Sequence, residues 1–140
     1  MARILLLEIV TPERIVYTNE VEMVVAPTVD GEVGILPLHA PLVSALKAGE
    51  VRVKWDNEKE TEWFAVAGGY IQVHEDKVII LADHAAAASQ IDVERARQAL
   101  EHARERMSAL PAEADEAERG TLEAELKWAE MQIEVAGRRK

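Results

Sequence analysis

Four histidines, an Asp-His pair followed by a serine, and a double glycine are the residues through which this 140-residue chain could do chemistry unaided. His39, His74, His84 and His102 show none of the close spacing that metal ligands adopt when neighbouring positions share one element. With no cysteine in the chain, neither a thiolate metal site nor a disulfide framework can form, so the fold must rest on burial alone. Asp83-His84 beside Ser89 is not a recognisable nucleophilic triad, which depends on spatial geometry and not on proximity in sequence. Gly68-Gly69 lacks the following Lys-Ser/Thr of a phosphate loop and reads as a turn or bulge between strands. No isolated catalytic activity, no metal and no required cofactor are expected.

The residues from Asp30 to Glu50, DGEVGILPLHAPLVSALKAGE, are organised differently. Asp30-Gly31 is a turn dipeptide, and Gly34 offers a second permissive backbone point before the apolar Ile35-Leu36. Pro37 and Pro41 fix their own φ and bias Leu36 and Ala40 toward extended geometry, so Leu38-His39 is presented between two stiff points. The spacing predicts a rigid surface loop with a partly apolar tip, suited either to docking against another protein or to folding back on its own core.

A hydrophobic fraction of 49% supports one full core or two small units, and 30% charged residues fit a folded, solvated surface. The longest unbroken apolar run near the start, Ile4 to Leu7, is far short of the roughly 20 residues that span a bilayer. Met1 to Arg3 lacks the organisation of a signal peptide, so a soluble intracellular protein is expected. A net charge of -10 opposes attraction to nucleic acid and to anionic lipid, which leaves a protein partner as the route to any membrane.

Two periodicities divide the chain near residue 85. Before it, Val21, Met23 and Val25 alternate with Glu20 and Glu22, and Val51, Val53 and Trp55 alternate with Arg52 and Lys54, as in half-buried strands. Ile4 to Val10, Thr61 to Val66, Tyr70 to His74 and Lys77 to Ala82 add further runs, with turn clusters between them. Many short strands without intervening helices predict an antiparallel β-sandwich or barrel over 1–84. Over 88–136 the spacing becomes helical, with Val93, Ala96, Leu100, Ala103, Met107 and Leu110 forming one stripe and Leu122, Leu126, Ala129, Ile133 and Ala136 a second. Asp92 or Ser89 is the candidate cap of the first helix, Pro111 follows its end, and Ala112 to Gly120 is the connection or a frayed start of the next. The expected fold is therefore an all-β N-terminal sandwich followed by an α-helical antiparallel hairpin, the hairpin being the less stable half.

The run G-E-x-G-I-L-P-x-H-A-P-L from Gly31 to Leu42, followed by L-K-x-G-x-V-x-V from Leu46 to Val53, resembles the epsilon subunit of bacterial F-type ATP synthases. FAVAGGY from Phe64 to Tyr70, VIILAD from Val78 to Asp83, and Ile91-Asp92 with Arg95-Ala96 resemble that family's later strands and the start of its hairpin. The resemblance implies a non-catalytic rotor subunit of the central stalk. Its sandwich would be fixed to the gamma subunit and the c-subunit ring, and its hairpin could lie folded on the sandwich or extend along gamma, the extended form restraining ATP hydrolysis by the alpha/beta hexamer. The expected location is the cytoplasmic face of the bacterial cell membrane, held there through the complex.

Carried over residue by residue, the resemblance assigns ring or rotor contact to Glu32, Gly34, His39, Ala40, Pro41 and Leu42, with Glu32 and His39 facing the polar loops of the ring. It also implies a regulatory ATP site at Ile91, Asp92, Arg95 and Ala96, where Arg95 can meet phosphate and Asp92 can accept hydrogen bonds or cap the helix. The supporting groups differ here: Ala86 stands for an acidic residue, His102 for a basic one, and Trp128 and Gln132 for arginines of the second helix. Inhibitory contacts would fall to Arg95, Arg97, Arg104 and Arg106 of the first helix and to Arg138 and Arg139 of the tail. The second helix itself carries Glu123, Glu125, Glu130 and Glu134 against Lys127. Salt-laced solvated helix faces explain most of these charges equally well.

Overall fold

The computed structural model describes residues 4–138. Ten strands form two five-stranded sheets that face each other, and two helices follow. The strands are β1 (Leu5–Val10), β2 (Ile15–Val21), β3 (Met23–Thr28), β4 (Gly31–Ile35), β5 (Leu42–Ala45), β6 (Gly49–Trp55), β7 (Glu60–Ala67), β8 (Tyr70–His74), β9 (Lys77–Leu81) and β10 (His84–Ala87). The first sheet has the order β2-β1-β9-β8-β5 and the second β10-β7-β6-β3-β4. All pairings are antiparallel except β1 with β9.

The two-residue alternation read from the sequence sets the inner faces. Leu5, Leu7 and Ile9 of β1 and Val78 and Ile80 of β9 are buried against Val24, Val51, Val53, Phe64 and Val66 of the other sheet. Such interdigitation of two inner faces makes the core of a sandwich. Tyr17 closes one side of it, packing edge-on against Phe64 with ring centres 4.8 Å apart.

Two differences from the sequence expectation concern short strands. The Asp30 to Glu50 segment is not a single loop, because β4 and β5 lie within it and only Leu36 to Pro41 forms the tip. The sandwich also runs past residue 84. β10 pairs with β7 from His84↔Ala67 to Ala87↔Phe64, so alanines that favour strands poorly are held there by their partner strand.

A short 3-10 turn, Ala88–Gln90, leads into α1 (Val93–Ala109), which is followed by α2 (Glu116–Ala136). Asp92 is the cap of α1, its Oδ1 accepting from the Arg95 backbone N–H at 3.1 Å. Ser89 instead gives its hydroxyl to Glu62 Oε1 at 3.0 Å, tying the turn to β7. Asp115 caps α2 by accepting from Glu118 N–H at 2.7 Å, and Gly120 lies inside this helix rather than in the connection. The predicted stripes meet along the hairpin, with Ala96, Ala103, Leu122 and Ala129 buried. The hairpin is folded down on the sandwich: Val135 and Ala136 join Ala65, Ala88 and Ile91 in a second buried cluster, flanked by Trp63, Ala86, Trp128 and Met131.

Candidate functional sites: an exposed tip, a bare sheet face and a hinge cleft

β4 is an edge of the second sheet and β5 an edge of the first, so the tip between them crosses one end of the sandwich from sheet to sheet. Within it Leu38 has a φ of 69°, in the left-handed region that a leucine enters only at a cost of about 1–2 kcal/mol. Two hydrogen bonds hold it there, one of them from a distant turn. Leu38 N–H donates to Asp76 Oδ1 at 2.6 Å, from the turn between β8 and β9, and His39 N–H donates to the Leu36 carbonyl at 3.1 Å. The result is a braced tip that exposes Leu36 and Leu38, at 53% and 68%.

Glu32 and Gly34 are exposed on β4, Ala40 and Pro41 are exposed on the tip, and Leu42 is half-buried at the start of β5. The six predicted contact residues therefore lie along the edge of the sandwich formed by β4, the tip and β5, with Glu32 toward the far end of β4 from the tip. His39 is half-buried, with Nδ1 2.6 Å from the Ala40 carbonyl. A carbonyl only accepts, so Nδ1 carries the hydrogen and Nε2 is the ring atom left for an outside partner.

Sequence reasoning missed the outer face of the first sheet. Val10↔Leu81, Leu81↔Tyr70 and Tyr70↔Ala45 are cross-strand neighbours, and this apolar row crosses the sheet on the side away from the core. Tyr70 is 58% exposed, and Val43 on the same face is 71% exposed. A groove of about 350 Å³ runs beside the row between Val10, Pro12, Tyr70 and Leu81. The hairpin covers the other sheet and leaves this face bare. The uninterrupted apolar run Val78 to Leu81 was the available signal, because a strand with one wet face alternates.

At the junction of sandwich and hairpin, a cleft of about 400 Å³ is lined by Ile91, Asp92, Arg95 and Ala96, together with Ala86, Trp128 and Gln132. The four motif residues and three of the four substituted positions thus share one site. His102 is not part of its lining. Trp128 also meets the sandwich, its ring centre 5.5 Å from that of His84 at the start of β10.

The candidate inhibitory cations are all exposed on the folded hairpin where described. Arg106 pairs with Glu125 of α2 at 3.2 Å, Arg97 with Glu94 at 4.0 Å, and Arg138 with Glu50 of β6 at 3.0 Å. Arg95 and Arg104 form no ion pair among the described residues, and Arg139 lies outside those residues. Among the described residues no group of three His, Asp or Glu could hold a metal, and no helix is long and apolar enough to cross a membrane.

A sandwich with a braced tip, one bare apolar face and a helical hairpin folded on the other defines a docking subunit of a larger assembly. Comparisons give the assembly. Residues 4–88 match the family model described as the beta-sandwich domain of the ATP synthase delta/epsilon chain, and residues 89–137 match its long alpha-helix domain. An ATP synthase epsilon chain of Carboxydothermus hydrogenoformans is 50% identical over 108 residues, 77% of this chain and 79% of its own. That of Dehalococcoides mccartyi strain BAV1 is 42% identical over 138 residues, 96% of this chain and 93% of its own. Among solved structures, a chain of the Euglena gracilis mitochondrial ATP synthase, in an OSCP/F1/c-ring assembly, superposes with a TM-score of 0.72 at 26% identity. The match covers 95% of this chain and 81% of that one. A chain of the Tetrahymena thermophila central stalk and c-ring shares the fold at a TM-score of 0.57 and 12% identity, over 94% of this chain and 96% of its own. The chain belongs to the ATP synthase delta/epsilon family as an epsilon chain, a non-catalytic subunit of that complex.

Proposed function

We propose that this chain attaches to the rotor through its sandwich and restrains ATP hydrolysis through its hairpin. The observation that carries this reading is the division of outer faces: the hairpin occupies one sheet, while the apolar row of Leu81 and Tyr70 stands bare on the other. That bare face is the docking surface for gamma, since apolar area left open in a subunit of an assembly is stabilised by burial against a neighbour. The tip serves the ring. Glu32 and the Nε2 of His39 meet polar groups of c-subunit loops, with Leu36 and Leu38 supplying apolar contact. Through these contacts the chain couples gamma to the c ring, peripheral to the cytoplasmic face of the bacterial membrane.

Inhibition requires the hairpin to leave the second sheet and reach the alpha/beta hexamer. Its docking cluster is small, with Ala65, Ala88 and Ala136 beside Ile91 and Val135, and the ion pair that ties it to the sandwich among the described residues, Arg138 with Glu50, is partly solvated, where such a pair contributes about 0–1 kcal/mol. Such an interface suits exchange between two packings that differ by a few kcal/mol. The cleft at Asp92 and Arg95 lies where the hairpin hinges from the sandwich, so regulatory ATP bound there would favour the folded form.

Pull-down and cross-linking test the attachment. The chain should recover gamma and the alpha/beta hexamer, and Tyr70→Asp with Leu81→Glu should lower that recovery at least about ten-fold by placing charge in the apolar contact. A cysteine in place of Glu32 should cross-link to c-subunit loops. Full recovery with the double substitution would remove the bare face from the gamma contact, and no cross-link at any rotor angle would remove the tip from the ring.

A further inference from the structure

The bare face of the first sheet is not apolar throughout. Beside the row of Tyr70 and Leu81 runs another, in which Gln72, Ile79, Glu8 and Thr18 are cross-strand neighbours on β8, β9, β1 and β2. Glu8 carries the charge of that row, and its side chain is 26% exposed. Leu6 and Val10 flank it along its own strand on the same side of the sheet. A carboxylate thus stands half-enclosed in the middle of a surface that is otherwise neutral around it.

Its ion pair leaves it partly unsatisfied. Lys77 Nζ lies 3.5 Å from Glu8 Oε1, and Lys77, the first residue of β9, keeps 48% of its side chain in solvent. Oε2 meets no donor among the described residues, and the hydroxyl of Thr18, the direct neighbour of Glu8, forms no hydrogen bond among them either. Water serves both groups while the face is bare. A neighbour that covers the face removes this water, and a carboxylate covered without new donors costs more than the adjoining apolar contacts return. The covering surface must therefore bring donors to this point.

We propose that the gamma surface docked on this face seats an arginine at Glu8, its guanidinium bridging Glu8 Oε2 and the Thr18 hydroxyl while Lys77 stays at the wet rim. This rests on the docking reading of the bare face and adds what the face selects. A guanidinium is planar and weakly hydrated, and it offers donors along two edges, so it enters a slot walled by Ile79, Leu6 and Val10 and still meets two acceptors. A second copy of this chain matches the slot poorly. It brings the same net charge of -10, and the Lys77 ammonium on its own copy of this face is already paired with Glu8.

The affinity of the full chain for the complex of gamma with the alpha/beta hexamer tests it. Glu8→Gln keeps the shape and removes the charge, and should raise Kd about ten-fold or more. Glu8→Lys combined with Lys77→Glu keeps an ion pair on the sheet but sets an ammonium where the carboxylate stood, and should raise Kd about a hundred-fold by facing one cation with another. Urea midpoints should stay close to that of the unaltered chain, since these side chains lie outside the core. Unaltered affinity in the reversed pair would overturn the proposal, because an ion pair of either direction would then suffice. Full affinity in Glu8→Gln, with recovery of gamma still lowered by Tyr70→Asp and Leu81→Glu, would overturn it too and leave the docking face in place. If none of these substitutions weakened binding, the docking reading itself would fall. A dimer of the full chain in sedimentation that Glu8→Gln dissolves, with gamma affinity unchanged, would assign the carboxylate to a second copy instead.

Discussion

His39 has one ring nitrogen bound to the neighbouring carbonyl and the other free to turn outward, while Leu38 beside it holds a backbone conformation that leucine avoids. The stiffness of this pair was legible from Pro37 and Pro41. Its bracing was not, because Asp76 lies 38 residues further along the chain and no local pattern links the two. Trp128 shows the same limit: its departure from the family's arginine is visible in the sequence, whereas its stacking on His84 depends on the hairpin being folded. Tyr17 carries a pH prediction. Burial raises its phenol above the ordinary value of 10.0, the hydrogen bond from Asn19 opposes this, and Glu62 adds to it. The folded state thus favours the neutral phenol, so this stability is complete below about pH 10 and is lost as pH rises through the raised folded value. Urea midpoints should fall as pH rises above about 10, and Tyr17→Phe should lessen the fall. An equally steep fall in both proteins would exclude Tyr17 as its source.

At the scale of elements, the longer strands and both helices follow from their periodicity, but β4, β5 and β10 do not. Gly31 and Gly34 interrupt β4, β5 has only four residues, and β10 is three alanines after a histidine, so pairing and not propensity makes them strands. Gly68-Gly69 was legible as a turn, and the structure adds its reason. Gly69 has a φ of 98°, and a Cβ there would overlap the Leu81 carbonyl at the end of the adjoining strand β9. Gly69→Ala should cost about 3 kcal/mol or more in denaturant unfolding, and a loss below about 1 kcal/mol would show that β8 and β9 can shift apart without penalty. The hairpin's footing gives a second prediction. Ala65 is buried but faces outward from the sandwich core, beneath Val135 and Ala136. Ala65→Glu should place an unpaired carboxylate there and undock the hairpin while the sandwich stays folded. Labels on the sandwich and near Ile133 should then move apart, and an unchanged distance would show that this cluster does not hold the folded form.

For the whole molecule, the change from two-fold to helical periodicity made the two-part architecture legible, and the motif from Gly31 to Leu42 made its family legible. The face each part turns to a neighbour was not, since outward-facing residues such as Tyr70 and Val43 become a surface only once sheet order is known. The core of the sandwich is separate from the small cluster that docks the hairpin, so removing the hairpin leaves Leu5, Ile9, Phe64 and their neighbours buried. The proposed attachment and the proposed restraint therefore fall to separable parts of one chain. The most direct test is ATP hydrolysis by the assembled ATP synthase carrying either the full chain or one ending at Ala88. With equal recovery of both chains in the complex, hydrolysis should rise several-fold, roughly three-fold or more, when the hairpin is absent. Equal hydrolysis by the two assemblies would contradict the regulatory role of the hairpin.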